Sequence, residues 1–364
     1  MKTIMTTPTA RQIAARPYIR LWLYVMAGLV FAMVIVGGAT RLTDSGLSIT
    51  EWQPLLGALP PLTHEAWLEA FAKYKAIPEY QIVNKGMSLE EFEFIYWWEW
   101  GHRFMGRIIG LAFLLPFLFF LFTGRMERSQ VPRLVGLFIL GGLQGALGWY
   151  MVKSGLTERV DVSQYRLAAH LTLATFIFAA ICWTALGIGR ERPRQFGIMG
   201  NRAGVLVVLL FIQIALGGFV AGLDAGMGYN TWPLMDGQFI PAGLFIMEPL
   251  WRNLFENAMT VQFTHRMTAY FVVLAVIAHW LITPMRRQSD DNARRGLNGL
   301  VVAVLAQAMI GIWTLLAQVP IHLGLIHQGG ALVVLAFALV HLHYATLSPQ
   351  MGARVGLSPA ADLR

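Results

Sequence analysis

Two short strings in the sequence combine residue types that can ligate a metal and move a proton. They are residues 99–103 (EWGHR) and 262–266 (QFTHR), and each stands where a long apolar segment begins. The His-Arg pair occurs in both strings, whereas the carboxylate of Glu99 is replaced by the amide of Gln262. Because an amide cannot ionise, the pattern suggests two metal or haem sites of which only one performs chemistry.

The composition places these strings in a membrane protein. Of 364 residues, 56% are hydrophobic and only 13% are charged, against about 25% charged in soluble domains. The net charge of +8 does not indicate nucleic acid binding, because the basic residues fall in short loops between apolar runs. The one cysteine, Cys182, lies inside an apolar run, which excludes an intrachain disulfide and a cysteine-based metal cluster.

Eight apolar runs are long enough to cross about 30 Å of hydrocarbon. They cover roughly residues 21–40, 100–122, 132–151, 167–188, 203–222, 263–284, 298–317 and 323–345. All should be helices, since lipid cannot satisfy free backbone hydrogen bonds. The first run is too long for a signal-peptide core, so we interpret it as an uncleaved helix.

The distribution of lysine and arginine predicts the orientation. The two termini and the alternate loops on their side carry 17 of these residues, whereas the opposite loops carry 8 over much longer stretches. The positive-inside rule therefore places both termini in the cytoplasm and the long loop 42–98 outside. We expect a multi-pass protein of the cell inner membrane, or of the mitochondrial inner membrane if the source is eukaryotic.

The two halves of the chain align as a repeat. At an offset of 180, the second half repeats Gly37, Gly38, Asp44 and Trp52 as Gly217, Gly218, Asp224 and Trp232. At an offset of 163, it repeats His102, Gln144 and Gly148 as His265, Gln307 and Gly311, and at 157 it repeats His170 as His327. Each half has four helices, so the repeats run parallel about an axis normal to the membrane. The fold class is thus an all-α membrane protein with two four-helix bundles. We divide it into a tail (1–20), an N-terminal bundle (21–190), a C-terminal bundle (203–345) and a second tail (346–364).

Four histidines recur in the repeat: His102, His170, His265 and His327. Each lies near the outer end of an even-numbered helix, so within one half two histidines can face each other and ligate a haem iron from both sides. A packing histidine is the alternative at any single position, and the lack of a carboxylate beside all four argues against a di-iron site. No role is assigned to the unmatched histidines His64, His279, His322, His341 and His343. Gln144 and Gln307 are interpreted as interhelical hydrogen-bonding residues.

Glu99 lies three residues before His102, so the two share a helix face. It can move protons or stabilise developing positive charge beside a haem edge; the alternative is a solvated interfacial carboxylate. Four arginines stand near the outer interface: Arg41, Arg103, Arg166 and Arg266. They can pair with haem propionates or extend to lipid phosphates, and the sequence leaves both interpretations open.

Several longer stretches resemble the haem A synthase family, in its long-loop subtype, over roughly residues 20–345. They are residues 37–48 (GGATRLTDSGLS), 52–54 (WQP), 97–103 (WWEWGHR), 142–152 (GLQGALGWYMV), 166–170 (RLAAH), 229–237 (YNTWPLMDG) and 261–266 (VQFTHR). The short-loop subtype of that family carries a cysteine pair in its first outer loop. This chain has none there, so a thiol-based step is not available to it.

The resemblance implies an oxidoreductase that converts a methyl group of haem O to a formyl group, giving haem A for cytochrome oxidase. It implies that His102 and His170 flank the substrate haem, that His265 and His327 hold a haem b cofactor, and that Glu99 is the catalytic carboxylate. Haem O synthase, an electron-transfer protein and membrane lipid are the expected partners, and a homo-oligomer is left open. Two alternatives also stay open at this point: a di-haem b-type electron-transfer protein, and a haem-handling transporter or chaperone.

Overall fold

A computed structural model describes residues 7–53, 56–158, 160–190, 194–283 and 291–347. The described residues form eleven α-helices and no strand. The helices are α1 (Ala10–Leu42), α2 (His64–Tyr74), α3 (Pro78–Ile82), α4 (Leu89–Phe122), α5 (Val131–Glu158), α6 (Gln164–Gly187), α7 (Ile198–Gly222), α8 (Asn253–Glu256), α9 (Ala258–Ile282), α10 (Asp291–Leu316) and α11 (Ile321–Ala345). Eight of them, all but α2, α3 and α8, are long and apolar enough to span a membrane. The predicted all-α fold with eight membrane helices is confirmed.

Several helices begin well before the apolar runs that predict them. The helix α1 starts after Thr9, whose side chain forms a reciprocal capping box with Gln12. The helix α4 starts after Ser88, which forms the same motif with Glu91. Hydropathy detects only the part of a helix that lies in hydrocarbon, whereas capping sets where the helix starts. The last ten residues of the loop predicted at 42–98 are therefore the outer extension of α4.

Four helices form the centre of the molecule. The helix α1 packs on α6 and α11, and α6 packs on α7. Small residues permit the close approach of α6 and α7, because a Cβ added to Gly218 would lie 2.9 Å from the Cα of Ala168. The apolar core follows these four helices along their length. The helices α4 and α5 flank the centre on the N-terminal side, and α9 and α10 flank it on the C-terminal side.

The outer segment of the N-terminal half forms a small core of its own. Aromatic and aliphatic side chains from α2, from α4 and from the chain after α1 bury one another, and the fully packed members are Leu47, Phe71, Tyr74, Ile77, Phe92 and Ile95. This core holds the segment after α1 against the outer end of α4. The described residues do not include the first six residues of the predicted N-terminal tail. Of the predicted tail 346–364, they include only residues 346 and 347.

Candidate functional site

The four repeated histidines form two pairs, one in each half. His102 on α4 and His170 on α6 are close enough to interact electrostatically, and so are His265 on α9 and His327 on α11. Within the described residues, α4 and α6 each pack closely on α1 and α5 but not on each other. The helices α9 and α11 likewise each pack on α7 and α10. The two histidines of each pair are therefore carried by helices that share the same two neighbours.

Each imidazole lies against a glycine of a neighbouring helix. A Cβ added to each glycine would lie close to the nearest ring atom of its histidine. The distance is 3.1 Å from Gly37 to His102, 3.0 Å from Gly148 to His170, 3.2 Å from Gly217 to His265 and 2.6 Å from Gly311 to His327. Ordinary van der Waals contact needs at least 3.4 Å, so a side chain here would displace the ring. The glycines match one another across the repeat, which makes this cradle a property of both sites.

Glutamine side chains contact both imidazoles of the C-terminal pair. The Nε2 of Gln213 lies 3.0 Å from His265 Nδ1 and donates to the His265 carbonyl at 3.1 Å. The Nε2 of Gln307 lies 3.1 Å from His327 Nδ1 and donates to the His327 carbonyl at 2.7 Å. Each amide thus packs against one ring while its Nε2 bonds the backbone carbonyl of the same histidine. Sequence reasoning assigned no role to Gln213, although a polar residue within an apolar helix was a usable signal.

The N-terminal pair has fewer such contacts. Gln144 donates to the His170 carbonyl at 3.0 Å, as the interhelical interpretation predicts. The Nδ1 of His170, however, is buried with no hydrogen-bond partner among the described residues. The position that matches Gln213 holds Met33, which cannot donate. The N-terminal rings are therefore less constrained than the C-terminal rings.

Glu99 lies in a closed hydrogen-bond network and is only 2% exposed. Its Oε2 accepts from the Ser48 hydroxyl and from the Ile49 N–H, both at 2.7 Å. Its Oε1 accepts from Arg103 at 2.6 Å. Arg103 also donates to the carbonyls of Ile49, at 3.0 Å, and Glu51, at 3.1 Å. The pair thus ties α4 to the segment after α1, beside His102, and Glu99 is not a solvated interfacial carboxylate.

Gln262 occupies the matching place with the opposite hydrogen-bond polarity. Its Nε2 donates to the carbonyls of Ala225 and Gly228, both at 2.7 Å, and its Oε1 accepts from Arg266 at 3.0 Å. Arg266 in turn donates to the carbonyls of Tyr229 and Thr231, which match Ile49 and Glu51 at the offset of 180. The repeat therefore extends to the individual hydrogen bonds of the arginine. The change from Glu to Gln replaces two accepted hydrogen bonds, from Ser48 and Ile49, with two donated ones, to the carbonyls of Ala225 and Gly228.

Three of the four outer arginines are engaged by the protein itself. Arg41 bridges Asp44 at 2.8 Å and Asp224 at 2.7 Å, so it joins the two halves. Arg103 and Arg266 hold the segments just described. Arg166 has neutral partners among the described residues: the hydroxyls of Ser154 and Tyr150, with the Tyr150 ring centroid 4.7 Å away. Among these residues Arg266 also has only neutral hydrogen-bond partners, but it is buried. Arg166 is half-buried and donates only to hydroxyls, so it is the arginine of the set best placed to pair with an anionic group.

Three of the unmatched histidines meet partners at the inner ends of their helices. His279 and His341 lie with their Nε2 atoms 2.9 Å apart, and the Nδ1 of His341 contacts the Ala293 carbonyl at 2.8 Å. His343 contacts Arg194 at 3.0 Å. These positions have no histidine counterpart in the N-terminal half, so the repeat gave no signal for them. Among the described residues, no group of three or more histidine, cysteine or acidic side chains is placed to hold a metal ion.

Paired histidines in glycine cradles, repeated in the two halves of a duplicated membrane bundle, are an arrangement that can ligate haem between helices. The family model described as "Cytochrome oxidase assembly protein" matches residues 20–339, and the chain belongs to this family. Three curated relatives carry the name "Heme A synthase". The protein of Parvibaculum lavamentivorans is 58% identical over 323 residues, covering 88% of this chain and 92% of the relative. The protein of Azorhizobium caulinodans is 56% identical over 330 residues (89% and 93%), and that of Mesorhizobium japonicum is 54% identical over 332 residues (91% and 91%). The resemblance predicted from the sequence is confirmed.

Proposed function

We propose that this chain is a haem A synthase, an oxidoreductase that converts a methyl group of haem O to the formyl group of haem A for cytochrome oxidase. The relatives' names support the activity. The observation that carries the proposal is the asymmetry of two otherwise matched histidine sites, of which only the first holds a carboxylate. An electron carrier with two resident haems, or a transporter, gives no reason for that difference, and the comparisons do not favour either.

The N-terminal pair, His102 and His170, takes the substrate haem O in this proposal. A substrate must enter and leave, and the freer rings of this pair suit exchange. The C-terminal pair, His265 and His327, holds a resident haem b, which accepts electrons one at a time. The amides of Gln213 and Gln307 support that assignment because each lies against one ring and bonds the carbonyl of the same histidine, so both rings are held more closely than those of the N-terminal pair.

In this proposal Glu99 acts at the methyl carbon of haem O that is oxidised. Conversion of a methyl to a formyl group exchanges two carbon-bound hydrogens for an oxygen atom, and protons leave together with electrons. A carboxylate next to the site can take a proton or stabilise positive charge. The network around Glu99 supplies three donors to its two oxygens. These donors hold the carboxylate in one orientation, on the helix face that carries His102. Arg166 is placed to pair with a propionate of the substrate haem.

The proposal includes an orientation of the chain in the membrane. The bias of lysine and arginine supports cytoplasmic termini, with both histidine pairs near the outer face of the inner membrane. Residues 21–190 and 203–345 are the substrate bundle and the cofactor bundle. Haem O synthase and an electron-transfer protein are the partners that this chemistry requires.

Haem extraction from the purified full-length protein tests the proposal. We expect about one haem B per chain together with haem O and haem A, identified by mass. In Glu99→Gln we expect the haem B to remain and the balance to shift from haem A to haem O. Two haem B per chain in both proteins, with no haem O or haem A, would identify an electron-transfer cytochrome instead.

A further inference from the structure

The hydroxyl of Ser48 points at the carboxylate of Glu99 in a buried place. Ser48 is 2% exposed, and its Oγ lies 2.7 Å from Glu99 Oε2. Two other acceptors are further away, the Ser45 carbonyl at 3.2 Å and the Ile95 carbonyl at 3.4 Å. A hydroxyl has one proton to donate, and a bond to a carboxylate is the stronger choice. The proton therefore lies on the line from Ser48 to Glu99.

The repeat shows that the backbone does not need a serine at this position. Gly228 matches Ser48, and the turns that precede the two residues are alike: the Ser45 N–H donates to the Thr40 carbonyl at 2.9 Å, and the Ala225 N–H donates to the Val220 carbonyl at 3.0 Å. The aspartates that begin the two turns share a φ of 49°. Glycine thus serves the same turn, and the hydroxyl is present only in the half that has the carboxylate.

We propose that Ser48 is a positioning residue for Glu99, whose hydroxyl holds the carboxylate beside His102 and stabilises its charged form. This inference rests on the proposed function, because it assumes that Glu99 acts as a carboxylate there. The ionisable groups that interact with Glu99 are Arg103 and Tyr96 on α4, Tyr74 on α2 and Glu79 on α3. Arg103 donates to Oε1, so the Ser48 hydroxyl and the Ile49 N–H are the two donors that hold Oε2.

Removal of the hydroxyl should change how activity depends on pH. In Ser48→Ala the carboxylate loses one of its three donors, so its charged form becomes less favourable. We expect the acid limb of haem A formation to move up by about one pH unit, which is about a tenfold loss on that limb. Activity should recover at higher pH, and haem B should stay bound. Ser48→Thr, which keeps a hydroxyl, should restore the original profile.

Ser45→Ala is the matched control. Ser45 is fully buried in the same turn, but its hydroxyl contacts Thr43 and not Glu99. Alanine at this position copies Ala225 of the other half. A loss of hydroxyl that merely loosens the turn should affect Ser45→Ala and Ser48→Ala alike. The control should keep the parent pH profile.

The assay uses the full-length protein in membranes supplied with haem O, with haem A measured by mass and haem B by its reduced spectrum. Infrared titration of the Glu99 carboxyl band, assigned by its loss in Glu99→Gln, measures the same shift without turnover. A band that titrates identically in Ser48→Ala and the parent protein would overturn the inference, and so would an unchanged pH profile in an active enzyme. A shifted band in a protein that forms no haem A would instead refute the proposed function and leave the role of Ser48 intact.

Discussion

The exchange of Glu99 for glutamine tests the hydrogen-bond polarity of the first site. If the amide oxygen keeps its place opposite Arg103, the amide nitrogen lies where Oε2 accepts from Ser48 and Ile49. The Ser48 hydroxyl can turn away, since the Ser45 carbonyl is 3.2 Å from its oxygen. The Ile49 N–H cannot turn, so two donors oppose each other in a buried place. An unmet buried donor costs about 1–3 kcal/mol, and we expect unfolding stability to fall by about 2 kcal/mol.

The effect on chemistry should exceed the effect on stability. A positioned general base contributes about 10²–10⁴-fold to a rate, so haem A formation by Glu99→Gln should fall by that factor. The b-type haem should remain, because its histidines lie in the other half. Extracted haems identified by mass, and a thermal unfolding curve of the same preparation, measure the two effects separately. An unchanged yield of haem A in Glu99→Gln would refute the catalytic role.

The reciprocal variant, Gln262→Glu, is the matched control. It places a carboxylate oxygen 2.7 Å from the carbonyls of Ala225 and Gly228, where the amide now donates two hydrogen bonds. Both hydrogen bonds are lost, and the carboxylate oxygen then lies against two carbonyl oxygens with no proton between them. Of the described residues, Arg266 is the one donor that offsets this repulsion. We expect a larger loss of stability than in Glu99→Gln, together with loss of b-type haem and no gain of activity. A Gln262→Glu protein that is as stable as the parent and keeps its haem would refute the polarity argument.

Three further outcomes are expected. His265→Ala should lose the reduced b-type spectrum, whereas His102→Ala should lose haem A formation and keep that spectrum; the reverse pattern would exchange the roles of the halves. A cysteine at exposed Lys85, in a background without the native cysteine, should react with an impermeant thiol reagent on intact cells, whereas one at exposed Ser129 should react only after permeabilisation. Burial, and then the negative charge of Glu99, raise the pKa of Glu79 from 4.5 to about 8, so the folded protein keeps a proton that the unfolded chain loses. The free energy of unfolding should therefore fall as pH rises from about 4.5 to 8, by at most about 1.4 kcal/mol per pH unit, and should level off above pH 8. Thermal unfolding measured across that range should show a flatter pH dependence in Glu79→Gln.

The membrane helices and the repeat were predictable because their signals are local or periodic. A run of about 20 apolar residues identifies a span whatever surrounds it. Matches such as Gly148 with Gly311 follow one another in order, at an offset that changes only from 180 to 163 to 157, so they do not depend on knowing the contacts. The pairing of His102 with His170 followed from their shared depth. Helix starts were missed by up to eleven residues, because capping residues such as Thr9 lie outside the hydrocarbon signal.

The contacts around the histidines were not predictable in the same way. The bond from Ser48 to Glu99 joins residues 51 apart, and that from Gln213 to His265 joins residues 52 apart. Neither spacing has a helical period that would bring the two side chains together. The contact of His279 with His341 has no counterpart in the first half. Such pairs depend on how the helices pack, which the sequence pattern does not specify.

Duplication gives the two sites the same frame, so their difference must lie in the few side chains that the repeat does not share. Three such positions lie at the two sites. In the repeat, Glu99 matches Gln262, Ser48 matches Gly228, and Met33 matches Gln213. In the first half the changes supply an ionisable group with its own donor and remove a contact from the imidazole. In the second half they supply neutral amides that hold the backbone and the ring. A charge that can gain or lose a proton serves a site that transforms and releases its haem, whereas fixed amides serve a site that keeps one. In the proposed assignment, one pair of matched bundles thus supports a reacting site and a holding site through the polarity of these side chains.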